Sequence, residues 1–328
     1  MKYVNLGSTG LKISRICLGC MSYGDSNKGE HGWVLDEQQG RPFLKASLDA
    51  GINFFDTANI YSDGASEEVL GRAIKDFAVR DDVVLSTKVH GKMRDNVNGG
   101  GLSRKAIFAE VDASRRRLGT DFLDILQIHR WDYETPIEET LEALDAVVRQ
   151  GKVRYLGASS MHAWQFMKAL GLQRAHGWAN FVMMQNHVNL LYREEEREML
   201  PLCRSEGIGV TPWSPLARGR LTRGPEGNSD SARYATDNVG ARYYARAGEA
   251  DNEIIDRVGE LAARRERSRA EIALSWLLHK PGISAPVVGA TKPHHLEAAL
   301  AAVDISLEPD EVAYLEEPYV PRPISGHS

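Results

Sequence analysis

Short, mostly apolar runs alternate along the chain with longer stretches in which apolar residues recur every three or four positions. The runs are Ile16–Gly19, Asn53–Asp56, Val83–Thr87, Leu123–Ile128, Val153–Gly157, Phe181–Gln185, Gly209–Pro212 and Pro286–Gly289. Apolarity that is uniform rather than alternating predicts parallel strands covered on both faces. The stretches between them predict helices. Leu141, Leu144 and Val148 mark one buried stripe. Thr135-Pro136-Ile137-Glu138 ahead of it reads as a capping box with Pro at the first helical position. Ser268 and Glu271 predict a second capping box before IALSWLLHK, and Pro281-Gly282 stops that helix. Ile107, Val111 and Leu118 stripe a further helix, whose Arg115-Arg116-Arg117 run is expected to be a solvated face with one outlier rather than a phosphate site.

Such β/α repetition without a break in composition predicts one closed (β/α)8 TIM barrel, α/β in class, over residues 1–328 rather than two domains. Three additions decorate it. YVNLGSTGLKISR predicts an N-terminal β-hairpin around Gly7-Ser8-Thr9-Gly10. Thr222 to Gly248, rich in Gly, Ser, Asn and Arg, predicts a long loop after the seventh strand. Beyond Pro309 come a last helix and a tail carrying Pro318, Pro321 and Pro323.

Composition narrows the class. The 328 residues are 42% hydrophobic and 26% charged, enough apolar material for one large core. No apolar run reaches the ~20 residues of a membrane span, and the N-terminus carries no apolar block of the signal-peptide kind. Cys17, Cys20 and Cys203 cannot form a fully paired framework, so a reducing cytoplasm is expected. A net charge of −5 offers no basic excess for nucleic acid or an anionic membrane. The expected partner is a small molecule; oligomeric state is left open.

In a barrel of this kind chemistry sits at the C-terminal strand ends. The second strand ends at Asp56, and Tyr61 follows five residues on; the third ends at Lys88 and the fourth at His129. Neighbouring strand ends bring all four to one pocket mouth. A phenol is a poor acid at its reference pKa of about 10, but a nearby ammonium favours the phenolate. Lys88 is placed to supply that charge, Asp56 to hold the lysine, and His129 to hydrogen-bond a carbonyl oxygen or relay a proton. A donor aimed at a developing alkoxide is what hydride addition to a carbonyl requires.

GINFFDTANIYSDGASEEVLGRAI (51–74) and VDASRRRLGTDFLDILQIH (111–129) resemble the two signatures of the aldo-keto reductases, and LSTKV (85–89) resembles their lysine segment. Similarity continues through GASS (157–160), MMQNH (183–187), PWSPLARGRL (212–221) and VVGATKPHHLEAAL (287–300). CLGCMSYG, LQIHRWDYETPIEETLEAL and YREEEREMLPLC look most like the bacterial YajO-type members. The resemblance implies NADPH (NADP+) bound without a GxGxxG motif, with Asp56, Tyr61, Lys88 and His129 as catalytic tetrad and Tyr61 as general acid. It implies that Ser159, Ser160 and Gln185 hold the nicotinamide carboxamide and that Trp213 stacks on its ring. Ser214, Leu216, Gly219 and Arg220 then clasp the pyrophosphate, while Gly289, Thr291 and Lys292 surround the adenosine 2′-phosphate, with His295 a further cofactor-binding position. Ser160 stands where many relatives carry Asn, His295 where Gln is frequent, and Ala298-Ala299 replace a frequent Glu-Asn pair.

For the substrate, Tyr23, Trp33 and Trp131 are expected to line the pocket, while Arg130 and Arg218 near the mouth read either as receivers of a substrate phosphate or as solvated surface. The reaction expected is reduction of an aldehyde or ketone, sugar-derived or a sugar phosphate among them. A redox-sensing regulatory subunit on the same fold, as in potassium-channel β subunits, is the alternative. A Schiff-base role for Lys88 is disfavoured by the adjacent Asp56. Cys17-Leu18-Gly19-Cys20 lies along the first strand and reads as core packing, and no residue set has metal-ligand spacing.

Overall fold

The computed structural model describes residues 1–224, 244 and 248–327. Strands β1 (Tyr3–Asn5) and β2 (Lys12–Ser14) form the antiparallel hairpin that the Gly-rich turn predicts. Eight parallel strands follow: β3 (Cys17–Gly19), β4 (Phe54–Asp56), β5 (Val84–Val89), β6 (Leu123–Ile128), β7 (Val153–Ser159), β8 (Phe181–Gln185), β9 (Gly209–Val210) and β10 (Val287–Val288). They lie in chain order, with β10 beside β3. The remaining gap, between β9 and β10, is bridged at its flanks. The Ser284 N–H donates to the Val210 carbonyl and the Val287 N–H to the Pro212 carbonyl, each at 2.8 Å. The sheet thus curls into the expected (β/α)8 barrel.

The surrounding helices among the described residues are α1 (Glu37–Asp49), α2 (Ala65–Phe77), α3 (Arg104–Leu118), α4 (Ile137–Arg149), α5 (Ala163–His176), α6 (Met199–Glu206), α7 (Glu249–Arg264), α8 (Arg269–His279), α9 (Pro293–Ala302) and α10 (Pro309–Glu316). The Ser268–Glu271 capping box forms at the start of α8, each side chain bonding the other's backbone N–H. The Thr135 box does not. Pro136 is the N-cap of α4, and the Thr135 hydroxyl donates to Asp132 at 2.7 Å instead. Asp132, already accepting from the Leu102 N–H, outcompetes the helix terminus for that hydroxyl. In the arginine run, Arg117 is the one residue that leaves the solvated face for a buried partner. The Arg117 Nε donates to the fully buried Glu67 at 2.5 Å, and Thr87 donates to the same carboxylate at 2.6 Å. Most of the stretch from Thr222 to Gly248 lies outside the described residues.

Strand parity divides the core in two. Side chains alternate across a strand, so Phe54, Val84, Ile125 and Met183 turn into the barrel, while Phe55, Leu85 and Leu126 turn out towards the helices. The hairpin lays Leu6 and Ile13 against that inner set, together with Cys17 and Ala285, and seals the N-terminal end. Cys17 and Cys20 are buried free thiols, and burial pushes both pKa values up, as core packing requires. Among the described residues no helix is long and apolar enough to cross a membrane.

Leu6 is completely buried at this seal. Leu6→Ala should lower unfolding free energy by about 2–5 kcal/mol, transfer loss plus cavity. Urea denaturation followed by circular dichroism measures it, and a loss below about 1 kcal/mol would mean that the hairpin is not an integral plug.

Candidate active site

The parity that fills the bottom with Phe54, Val84 and Ile125 places, two residues later on β4 and four on β5, Asp56 and Lys88 inside the barrel. Lys88 is fully buried, and its ammonium donates to Asp56 Oδ2 at 2.5 Å, the Thr57 carbonyl at 2.9 Å and the Tyr61 hydroxyl at 3.3 Å. Burial alone would pull the lysine down. The charge of Asp56, then Tyr61 and the hydrogen bonds to both, outweigh it and hold Lys88 above its ordinary value. Lys88 is therefore a fixed cation and a poor nucleophile, which removes the Schiff-base reading.

Asp56 is fixed in turn by two amides. Gln127 Nε2 and Gln185 Nε2 donate to its Oδ1 at 2.8 and 2.9 Å, and Gln127 also donates to Ser86 at 2.7 Å. Register explains the convergence, because Lys88 faces Gln127, which faces Gly157, which faces Met183. A Cβ on Gly157 would stand 3.0 Å from Gln127 Cγ and 3.1 Å from Met183 Cε. The glycine leaves the room that Gln127 occupies. Sequence reasoning passed over Gln127, although a lone polar residue on the inward parity of β6 was a readable signal.

Tyr61 opens the tight turn after β4, with Ser62 and Asp63 both in the left-handed region at φ 48° and 50°. Its ring meets that of His129 edge-on, centroids 5.8 Å apart at 82°. Burial, then the cations Arg130 and Lys88, hold His129 well below its ordinary pKa, so the imidazole is neutral at pH 7. The four strand-end residues thus converge as the sequence implied.

Asp56, Tyr61 and His129 open on a cavity of about 1320 Å³. Of the residues assigned to a cofactor, Ser159, Gln185, Trp213, Ser214, Leu216, Gly219, Gly289, Thr291, Lys292 and His295 line it. Ser160 and Arg220 are not among the described lining residues. The Ser160 hydroxyl, buried, accepts the Trp213 indole N–H at 2.9 Å, and Arg220 lies over the Tyr244 ring at 5.5 Å. Of the residues considered for substrate, Trp33, Arg130 and Arg218 line the cavity. Tyr23 does not. It is fully buried with its hydroxyl donating to the Ala290 carbonyl at 2.7 Å, because α1 presents Gly40 to its ring and pulls it into the core. Trp131 is likewise absent from the described lining and leans on Trp164, centroids 6.2 Å apart.

One wall of the cavity is strained. Ser214, Ala217 and Arg218 adopt φ 51°, 48° and 54°, and Gly219 follows at φ 93°. Left-handed non-glycine residues each cost on the order of 1–3 kcal/mol and gather where a ligand is clamped. In and beyond that loop the lining gathers Arg218, Arg223, Arg269 and Lys292, with the first turns of α8 and α9. Helix N-termini and cations together make an anion site. An aromatic platform near the tetrad and an anion site beyond a strained loop fit a nicotinamide dinucleotide.

The aldo/keto reductase family profile matches residues 15–319. The chain belongs to that family and is an oxidoreductase, and its family's chemistry runs on a nicotinamide cofactor. It is 44% identical to versiconal hemiacetal acetate reductase of Aspergillus parasiticus over 99% of this chain and 98% of that one. An aldo-keto reductase of Fusarium vanettenii is 45% identical over 99% of this chain and 93% of its own. A Schizosaccharomyces pombe protein provisionally named an aryl-alcohol dehydrogenase is 45% identical over 99% and 97%. These relatives are fungal, and the narrower affinity with bacterial YajO-type members is not supported.

Four histidines, His90, His129, His162 and His187, are held below the ordinary value, each first by burial. Unfolding frees them to bind protons near pH 6.5, so the unfolded state carries more protons below that pH. Stability is then full above about pH 6.5 and falls as pH drops through it, by up to about 1.4 kcal/mol per pH unit for each of the buried His129 and His187, and by less for the solvent-screened His90 and His162. The urea midpoint should therefore fall between pH 7.5 and 5.5; a midpoint that stays level would show that the folded rings carry charge.

Proposed function

We propose that the whole chain, residues 1–328, works as one barrel domain that reduces an aldehyde or ketone at the expense of NADPH. The observation that carries this reading is the buried Lys88 ammonium, held between Asp56 and the Tyr61 hydroxyl under the floor of the cavity. A bound nicotinamide cofactor supplies the hydride. Tyr61 supplies the proton, since its hydroxyl combines contact with a fixed cation and an opening to the cavity. Neutral His129 donates a hydrogen bond to the carbonyl oxygen, orienting it towards Tyr61 and taking up part of the developing charge. Lys88 and Asp56 keep the phenol in place and favour its transient anion.

The cofactor would lie along Trp213, with Ser159 and Gln185 at the nicotinamide end. Ser214, Leu216 and Gly219 would bind the pyrophosphate, and Lys292 with Thr291 the adenosine 2′-phosphate. Met21, Trp33 and Ile60 line the cavity beside Tyr61 and His129. That apolar wall supports an aryl carbonyl over a sugar phosphate, in keeping with the aryl-alcohol name of the fission-yeast relative. Arg130 in the same lining would take a substrate carboxylate or phosphate.

Tyr61→Phe should cut turnover roughly 10²-fold or more, the scale of a lost general acid, with NADPH affinity nearly intact. NADPH oxidation against aryl aldehydes, ketones and phosphorylated sugars measures it. Retention of more than half the wild-type rate would remove Tyr61 from the role. Tight NADPH binding with no turnover on any carbonyl would fit a redox-sensing subunit instead.

For cofactor choice, an ammonium on the 2′-phosphate contributes on the order of 1.5–3 kcal/mol, about a 10–150-fold preference for NADPH over NADH. Lys292→Ala should erase most of it by weakening NADPH alone. Equal losses for both cofactors in a fluorescence titration would show that Lys292 does not read the phosphate.

A further inference from the structure

Behind Trp213 stands a ring stack that the proposed reaction does not use. His187 lies parallel to Trp213 with centroids 4.2 Å apart at 12°, and Tyr192 lies parallel to His187 at 4.3 Å and 11°. His187 and Tyr192 are both almost wholly buried. Parallel stacking at such spacing transmits position, because a displaced ring loses contact along its whole face.

The outer end of the stack is clasped by the C-terminal segment. The Ser325 N–H donates to the Tyr192 hydroxyl at 3.0 Å, and that hydroxyl donates to the Ser325 carbonyl at 3.4 Å. The segment is itself tied down on both sides of this contact. Tyr319 and the Arg322 N–H donate to Glu194 at 2.7 and 2.8 Å, and Arg322 pairs with the buried Asp251. His327, buried, meets Glu195 at 2.8 Å, and Asn186 donates to the other oxygen of Glu195 at 3.5 Å. Asn186 in turn accepts the Trp213 backbone N–H at 2.9 Å. Two routes, one through rings and one through Glu195 and Asn186, thus run from the segment to Trp213.

We propose that residues 319–327 act as a buttress that sets the Trp213 ring, with Tyr192 and His187 as positioning residues for the cofactor. The proposal rests on reading Trp213 as the nicotinamide platform. Stacking would use the face opposite His187, so a shift of the stack moves the surface on which the nicotinamide lies.

Two variants test this: Tyr192→Phe, which removes the clasped hydroxyl and keeps the ring, and a chain ending at Pro323. The first readout needs no cofactor. Acrylamide quenching of Trp213 is taken as the difference between each protein and its Trp213→Phe counterpart. Both variants should raise Trp213 quenching, and NADPH affinity should weaken about five- to tenfold, the scale of one lost net hydrogen bond. KM for the carbonyl at saturating NADPH should stay constant. Arg257→Ala serves as control, since Arg257 ties α7 to Glu317 and the Tyr314 carbonyl without touching the stack. It should leave quenching and affinity unchanged. Unchanged Trp213 quenching in Tyr192→Phe, or equal changes in Arg257→Ala, would overturn the buttress. If wild type bound no nicotinamide cofactor, the functional reading would fall while the quenching still decided the coupling.

Discussion

One buried ion pair governs the architecture of the site. Taking an ammonium and a carboxylate out of water costs several kcal/mol per ion, and only close geometry with further hydrogen bonds offsets it. Lys88 and Asp56 meet those terms through the Thr57 carbonyl, Tyr61, Gln127 and Gln185. Removing either partner would strand the other charge in a closed barrel. The pair therefore constrains its neighbours: Gln127 has to reach Asp56, Gly157 has to stay small beside it, and β4 to β8 have to keep register.

Around that fixed centre the protein distributes tasks by element. Strands hold the charged pair, and the tight turn after β4 carries Tyr61. The strained loop from Ser214 to Gly219 and the starts of α8 and α9 carry the arginine- and lysine-bearing part of the cavity lining. The Arg117–Glu67–Thr87 network joins these levels. It ties α3 and α2 to β5 one residue before Lys88, and Arg117 packs so closely on Gly64 that a Cβ there would stand 2.6 Å from its Cδ. The turn bearing Tyr61 is thus braced from outside the barrel as well as from within.

Much of this was legible in the sequence, for physical reasons. Parallel strands in a barrel are buried on both faces, so their apolar runs stood out, and all eight were located to within a few residues. The four strand-end residues followed from where barrels put their chemistry. What failed had a different cause. Tyr23 was placed at the pocket from its position in a loop, but its direction depends on Gly40 in α1, a tertiary contact that local sequence does not carry. The Thr135 cap was lost to Asp132, three residues away, a carboxylate held in place by the distant Leu102 N–H. Gln127 was within reach of strand parity, whereas the His187–Tyr192 stack depends on how the loop after β8 folds back on β9.

The hairpin seal has a consequence for traffic. With Leu6 and Ile13 closing the N-terminal end, the barrel is a well and not a tunnel. Whatever reaches Tyr61 arrives and leaves by the same opening, past the strained loop and Trp213. Any two ligands held there together would have to share that one mouth, with no second exit past the hairpin. The shared doorway is then a property of the container, set by two aliphatic side chains at the end of the barrel remote from Tyr61.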